Sequence, residues 1–341
     1  LNSNYTVNYA DASFMVLDLT NPIAPKVIKA VSIPNFSGQG ILDTTNQKML
    51  FTNRESESNT DKIDQLLLID LNEASSNFLT YQTFTADDNP FGITTDGTSF
   101  FVANDRSLVR YEKSDLTHRT RIDLNIKAVG SNNPTNTLNT RETVISPSGQ
   151  FVFVANRSDK MMILDKNQIP VPDPSLELTL GGSEAVDYVI SNTFSTRGMA
   201  SDTNYVYVVE GTPPSLKILT DKNIPLVSGQ PQQILISSLA VAEIPLGNNP
   251  NEIVLDSANQ KAYIPLGDDN KLSIIDTSLF TEVGRITLDV NLPAGINPGK
   301  NPFSAAVGIF GGVPYIYVLN LDTNNITILN GNTQQILASF P

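Results

Sequence analysis

The chain has 341 residues, a formal net charge of -13, one histidine and no cysteine. So acidic a balance argues against nucleic acid and against a polybasic membrane contact, both of which need a basic face for phosphates, while the missing cysteines exclude disulfides, zinc–thiolate and iron–sulfur sites and thiol nucleophiles. Only 17% of residues are charged and Asn, Ser and Thr are plentiful, which points to an extracellular, cell-surface or periplasmic protein, and no run approaches the ~18 apolar residues of a membrane span.

In chain order, an apolar run recurs as a marker: residues 5–8 (YTVN), 49–53 (MLFTN), 100–104 (FFVAN), 151–156 (FVFVAN), 205–209 (YVYVV), 262–266 (AYIPL) and 315–320 (YIYVLN). Each is followed by a further strand pattern, at 14–17, 66–69, 108–111, 161–164, 216–219, 272–275 and 326–329, and then by a more variable one at 27–33, 79–84, 119–124, 176–180, 240–246, 282–288 and 335–340. All but the first are preceded by a strand of small or apolar residues and a turn such as Asp96-Gly97 or Ser148-Gly149, the chemistry that hairpins require. The markers repeat about every 52 residues, near the length of a four-stranded propeller blade. The pattern therefore predicts an all-β chain, a single seven-bladed β-propeller of four-stranded antiparallel blades near 1–34, 38–85, 89–124, 140–180, 196–246, 249–288 and 301–341. The first blade lacks its innermost strand, which is expected upstream of Leu1, where the absence of Met fits a trimmed terminus. A β-sandwich predicts no such period.

Residues 89–104 (NPFGITTDGTSFFVAN), 141–156 (RETVISPSGQFVFVAN) and 249–266 (NPNEIVLDSANQKAYIPL) resemble the bacterial and archaeal YVTN family of β-propeller repeats: Asn-Pro, an aliphatic strand, Asp-Gly or Ser-Gly, then an aromatic-Val strand closing on Asn. The likeness runs along the whole chain and departs from the pattern where Glu210 and Leu266 replace that Asn. It implies a scaffold of mostly extracellular or surface-layer proteins, with lactonases, haem nitrite reductases and quinoprotein subunits among related folds, so activity has to be argued from a site.

In a propeller the loops joining second to third strands, and fourth strands to the next blade, share one face. The long segments 54–64, 125–140, 181–196 and 289–301 all belong to that class in this reading, which makes that face the binding candidate; a fifth, 222–237, falls on the other side. Arg141 and Arg197 occupy matching places in 140-TRE-142 and 196-TRG-198, with Glu142 beside the first and Glu252 at a similar place in its unit. They are the candidate ligand-binding residues, two guanidinium groups suited to a carboxylate or phosphate. Glu55, Glu57, Asn59 and Asp61 alternate in a loop and offer hard oxygens of the kind Ca²⁺ takes, and no other cofactor is expected. His118, at the start of a strand beside Arg119 and Arg121, makes a poor metal or haem site alone. The sequons at Asn4, Asn35, Asn156 and Asn325 matter only in a glycosylating route.

The composition favours binding over catalysis: a secreted or cell-surface module, monomeric or part of a larger assembly, that engages a protein, glycan or envelope partner through the long-loop face. The alternative is a lactonase-like metal-dependent hydrolase with Glu142 or Glu252 as ligand or base. A redox subunit is disfavoured by the lack of Cys, Trp and a His pair.

Overall fold

The computed structural model describes residues 12–33, 36–54, 64–124, 140–156, 160–175, 177–180, 186–191, 195–226 and 231–341. The chain divides into two compact units, each taken by itself: Leu1–Val16, Val27–Thr193 and Ile224–Ile236 form the first, and Leu17–Lys26, Phe194–Asn223 and Ser237–Pro341 the second.

In the first unit, β1 (Ala12–Asp18) and β2 (Lys26–Ile33) pair as a sheet of two strands. β3 (Phe36–Asp43), β4 (Lys48–Arg54), β5 (Gln65–Asp70) and β6 (Tyr81–Thr85) follow as an antiparallel meander, and β7 (Ile93–Thr95), β8 (Ser99–Ala103), β9 (Ser107–Glu112) and β10 (Arg119–Asp123) as another. A third contains β11 (Thr140–Ile145), β12 (Phe151–Asn156) and β13 (Lys160–Asp165); the chain then makes β14 (Leu178–Leu180) and β15 (Val186–Ser191), of which β15 is this sheet's fourth strand. The short β19 (Gln232–Gln233) belongs to the first unit, and the second unit holds β16 (Thr196–Ser201), β17 (Val206–Gly211), β18 (Pro214–Leu219) and β20 (Ala240–Pro245). It continues through β21 (Val254–Asp256), β22 (Lys261–Leu266), β23 (Lys271–Asp276) and β24 (Thr281–Thr287), and ends in β25 (Pro302–Phe310), β26 (Val313–Asn320), β27 (Asn325–Asn330) and β28 (Ile336–Phe340).

The marker runs in β8, β12, β17 and β22 read as continuous apolar strands because they are packed on both faces, whereas the last one, in β26, alternates buried and half-buried residues. Every described residue of β8 (SFFVA) and β12 (FVFVAN) is buried, and the core lies between consecutive sheets: Phe101, Leu108 and Ile122 meet Val152, Val154 and Met162 in the first unit, and Tyr207, Val209 and Ile218 meet Ala262 and Ile264 in the second. Strands packed on one face alternate instead, as in β24. The Asn of three Asn-Pro pairs also has a structural reason. Asn89, Asn249 and Asn301 take left-handed φ values of 55°, 49° and 53°, a region that Asn tolerates better than most residues. There each Nδ2 donates to the carboxylate of a later turn, at 3.1 Å for Asp105, 3.1 Å for Asp268 and 3.0 Å for Asp322.

Three expectations need correction. Among the described residues there are six sheets of four or five strands, not seven blades; the first expected blade is represented by β1 and β2 alone, and its marker at 5–8 lies outside the described residues. The fourth strand of the 140–180 unit is β15, inside a segment read as loop, because VDYVIS buries Val186, Tyr188, Val189 and Ile190 whereas 178–180 is partly exposed. β14 pairs instead in parallel with the outer strand β10 of the preceding sheet, through Thr120–Leu178 and Ile122–Leu180. β19, from the 222–237 segment, likewise adds in parallel to β15. Both connections are third-to-fourth-strand insertions that cover an otherwise open outer edge, so the long segments do not all share one face.

Candidate functional site

The matching arginines share a backbone device. Thr140 pairs with Asn156 and Glu142 with Ala155, which leaves Arg141 as the extra residue of a bulge. Thr196 pairs with Glu210 and Gly198 with Val209, which leaves Arg197 in the same position, and Phe303 occupies it between Pro302 and Ser304. In the sheet of β7, Phe91 donates to the carbonyl of Ala103 while Ala103 donates to that of Gly92, so two residues again face one. Such bulges bend a strand and re-aim a side chain at its end.

In the first unit this gathers a cluster. The guanidinium carbon of Arg141 lies 4.7 Å from the centre of the Phe91 ring and that of Arg54, the last residue of β4, lies 4.9 Å from it. Arg54 Nη1 also donates to Asn89 Oδ1 at 3.4 Å. The π face attracts both cations, and the two are held no more than about 10 Å apart. Next to Arg141 in β11, Glu142 is buried and accepts from Gln39 Nε2 at 2.9 Å. The intervening sheet permits this with a glycine: a methyl group on Gly92 would overlap the carbonyl oxygen of Arg141. Gly38 lies against the Phe91 backbone for the same reason, and Thr52 Oγ1 fastens the contact by donating to the Phe91 carbonyl at 2.6 Å.

In the second unit Arg197 runs along Gly211, and Gly198 lies against the backbone of Glu252. Glu252 accepts from Ser304 Oγ at 2.7 Å; burial pushes its carboxyl up, and the Ser304 hydrogen bond partly offsets this. Glu210 closes β17 and is fully buried, with Ser195 N donating to it at 3.0 Å and Thr196 Oγ1 at 3.4 Å. Burial pushes this carboxyl up to about 8 against the opposing effect of Lys217. Arg141 and Glu142 thus belong to one unit, and Arg197 and Glu252 to the other.

Sequence reasoning missed Arg54, Phe91 and Glu210, although each stands at a repeated position: after a marker Asn, after Asn-Pro, and in place of a marker Asn. Glu55, Glu57, Asn59 and Asp61 lie outside the described residues, and among the described residues no three acidic or histidine side chains gather as metal ligands. His118 Nδ1 lies 3.2 Å from Glu112 and Nε2 lies 3.6 Å from Asp115, a turn contact preceding β10. Asn156 and Asn325 are buried, and Asn325 Nδ2 donates to the Pro298 carbonyl, so neither sequon is presented in the folded chain; Asn4 and Asn35 lie outside the described residues. No described helix is long and apolar enough to cross a membrane.

No protein-family model matches the chain, and no curated protein matches it by sequence. Solved structures do. A putative 6-phosphogluconolactonase from Bacteroides uniformis superposes with a TM-score of 0.65 at 13% identity, covering 99% of this chain and 93% of its own. One from Bacteroides fragilis gives 0.63 at 14%, covering 98% and 95%. The β-propeller domain of a Myceliophteria thermophila protein gives 0.60 at 9%, covering 92% and 88%. At these identities the likeness shows the fold, and the fold is a β-propeller.

Proposed function

We propose that this chain is a binding and scaffold module of the bacterial or archaeal cell envelope, secreted or held at the surface and built from YVTN-type repeats. It takes an acidic group of a protein or glycan partner at the edge where Arg54, Phe91 and Arg141 meet. The observation that carries the reading is the convergence of two guanidinium groups on one ring: in a chain of net charge -13, a paired cationic spot fixed by a bulge suits a carboxylate or phosphate.

The test compares the chain with an Arg54→Ala/Arg141→Ala variant, both checked by melting, for binding to immobilised polyuronate and phosphate-bearing glycans. At least ~10-fold weaker binding by the variant is expected, about 1.4 kcal/mol; equal binding ends the reading. The second reading, a lactonase-like hydrolase, draws on the two putative 6-phosphogluconolactonase structures and on the buried Glu142 and half-buried Glu252. It requires lactone hydrolysis that Glu142→Gln or Glu252→Gln abolishes.

A further inference from the structure

A groove of about 650 Å³ opens in the first unit between the sheet of β3–β6 and the sheet of β7–β10, away from Arg54 and Arg141. Its floor is apolar. Leu68 and Phe84 are only partly covered by the core beneath them, and Leu116 completes the strip. The register sets one wall: Leu68 pairs with Gln82 and Leu66 with Phe84, so the Gln82 amide and the Phe84 ring share the face turned to the groove, with Lys48 beside them. At one end Lys113 Nζ binds Asp43 at 3.0 Å, and Asp43 also accepts from Asn46 Nδ2 at 2.7 Å. Ser114 and Asp115 form the other wall, and the hydroxyl of Thr98 is taken by Asp96.

The charges at the groove balance: Lys48 and Lys113 stand against Asp43 and Asp115. An ionic ligand therefore gains little from its charge, and it would have to compete with the Asp43–Lys113 pair. What the groove offers is an apolar strip with the Asn46 and Gln82 amides along one side, Thr98 and Ser114 along the other and one carboxylate on each, the Ser114 hydroxyl being held by Glu112. Gln82 is exposed, and its side chain makes no hydrogen bond within the described residues. A pyranose ring has the complementary form, with C–H faces above and below and hydroxyls around the edge, and the volume falls within the ~300–1,000 Å³ of small-ligand sites.

We infer that this groove is a binding site for an uncharged saccharide, whose ring lies on Leu68 and Phe84 while its hydroxyls bond Gln82, Lys48 and the Asp43–Asn46 turn. It is separate from the arginine cluster and stands or falls independently of it. The test is titration calorimetry of the whole chain with cellotetraose, maltotetraose and chitotetraose, and with tetragalacturonate as the charged counterpart. The experiment is repeated on Gln82→Ala, Phe84→Ala and Arg54→Ala/Arg141→Ala. At least one neutral sugar is expected to bind with a Kd below about 1 mM. Gln82→Ala, an exposed change that leaves the core intact, is expected to weaken it at least ~5-fold and Phe84→Ala ~10-fold, while the double arginine variant binds it unchanged. The inference is overturned if no neutral tetrasaccharide binds at about 10 mM, if Gln82→Ala binds as the parent does, or if tetragalacturonate binds the double arginine variant as tightly as the neutral sugars do.

Discussion

Glu210 closes β17 where four other marker strands end in Asn53, Asn104, Asn156 and Asn320, all buried. An amide suits the slot because it is neutral: Asn320 Nδ2 donates to the Val318 carbonyl and to Thr327 Oγ1. A carboxyl there is tolerated best when protonated, which is why burial raises it to about 8. The folded value lies above the unfolded one, so the group's contribution to stability is complete below about pH 4.5 and is lost as pH rises through about 8. Glu210→Gln keeps an acceptor for Ser195 N and removes the titration. Thermal melts should show the variant more stable than the parent at pH 8.5, by on the order of 2–4 kcal/mol, with the difference closing at pH 4.5; a difference that does not change with pH contradicts this. The matching of Arg141 and Arg197 was legible because both lie in a Thr-Arg pair entering a first strand. The contacts of Arg54 and Arg141 with Phe91 were not, because they depend on strand register and on a bulge that residue type does not announce.

Between elements, one device repeats within the first unit. Asp43, at the end of β3, binds Lys113 of the next sheet at 3.0 Å, and Asp96, in the β7–β8 turn, binds Lys166 of the sheet after at 3.0 Å. Burial works to raise the Asp96 carboxyl, but Lys166 and the Ser99 and Thr98 amides overcome it and hold the group at about 2. The folded value is below the unfolded one, so this stability is present above about pH 4 and is lost as pH falls toward 2. Lys166→Ala should cost ~1 kcal/mol at pH 7 and less at pH 2.5, measured by denaturant unfolding. An unchanged midpoint at pH 7 would show the clasp to be decorative. The inner strands of each meander were legible from their continuous apolar runs. The strands that close the outer edges were not: LTL at 178–180 and VDYVIS at 186–191 both read as strands, and only packing decides that the second joins its own sheet and the first is lent to the preceding one.

For the whole molecule, the period of about 52 residues was enough to give a β-propeller, the fold that the solved structures share with it. It overcounted the complete sheets. β1 and β2 fit the third- and fourth-strand pattern, yet most of β2 is exposed, with Val27 at 49% and Ile28 at 55%, whereas the fourth strands β10, β20, β24 and β28 keep at least alternate residues partly covered. Periodicity reports that a segment can be a strand, whereas a blade also needs neighbours to cover both of its faces. Function was not legible in the period, since a fold of this kind carries its chemistry at a few side chains brought together by register.

The most direct test of the account is a crystal structure of the chain soaked with selenate, located by its anomalous signal. The account predicts the strongest site within about 4 Å of the guanidinium groups of both Arg54 and Arg141, beside Phe91. Strong selenate sites elsewhere, with none at that cluster, would contradict it.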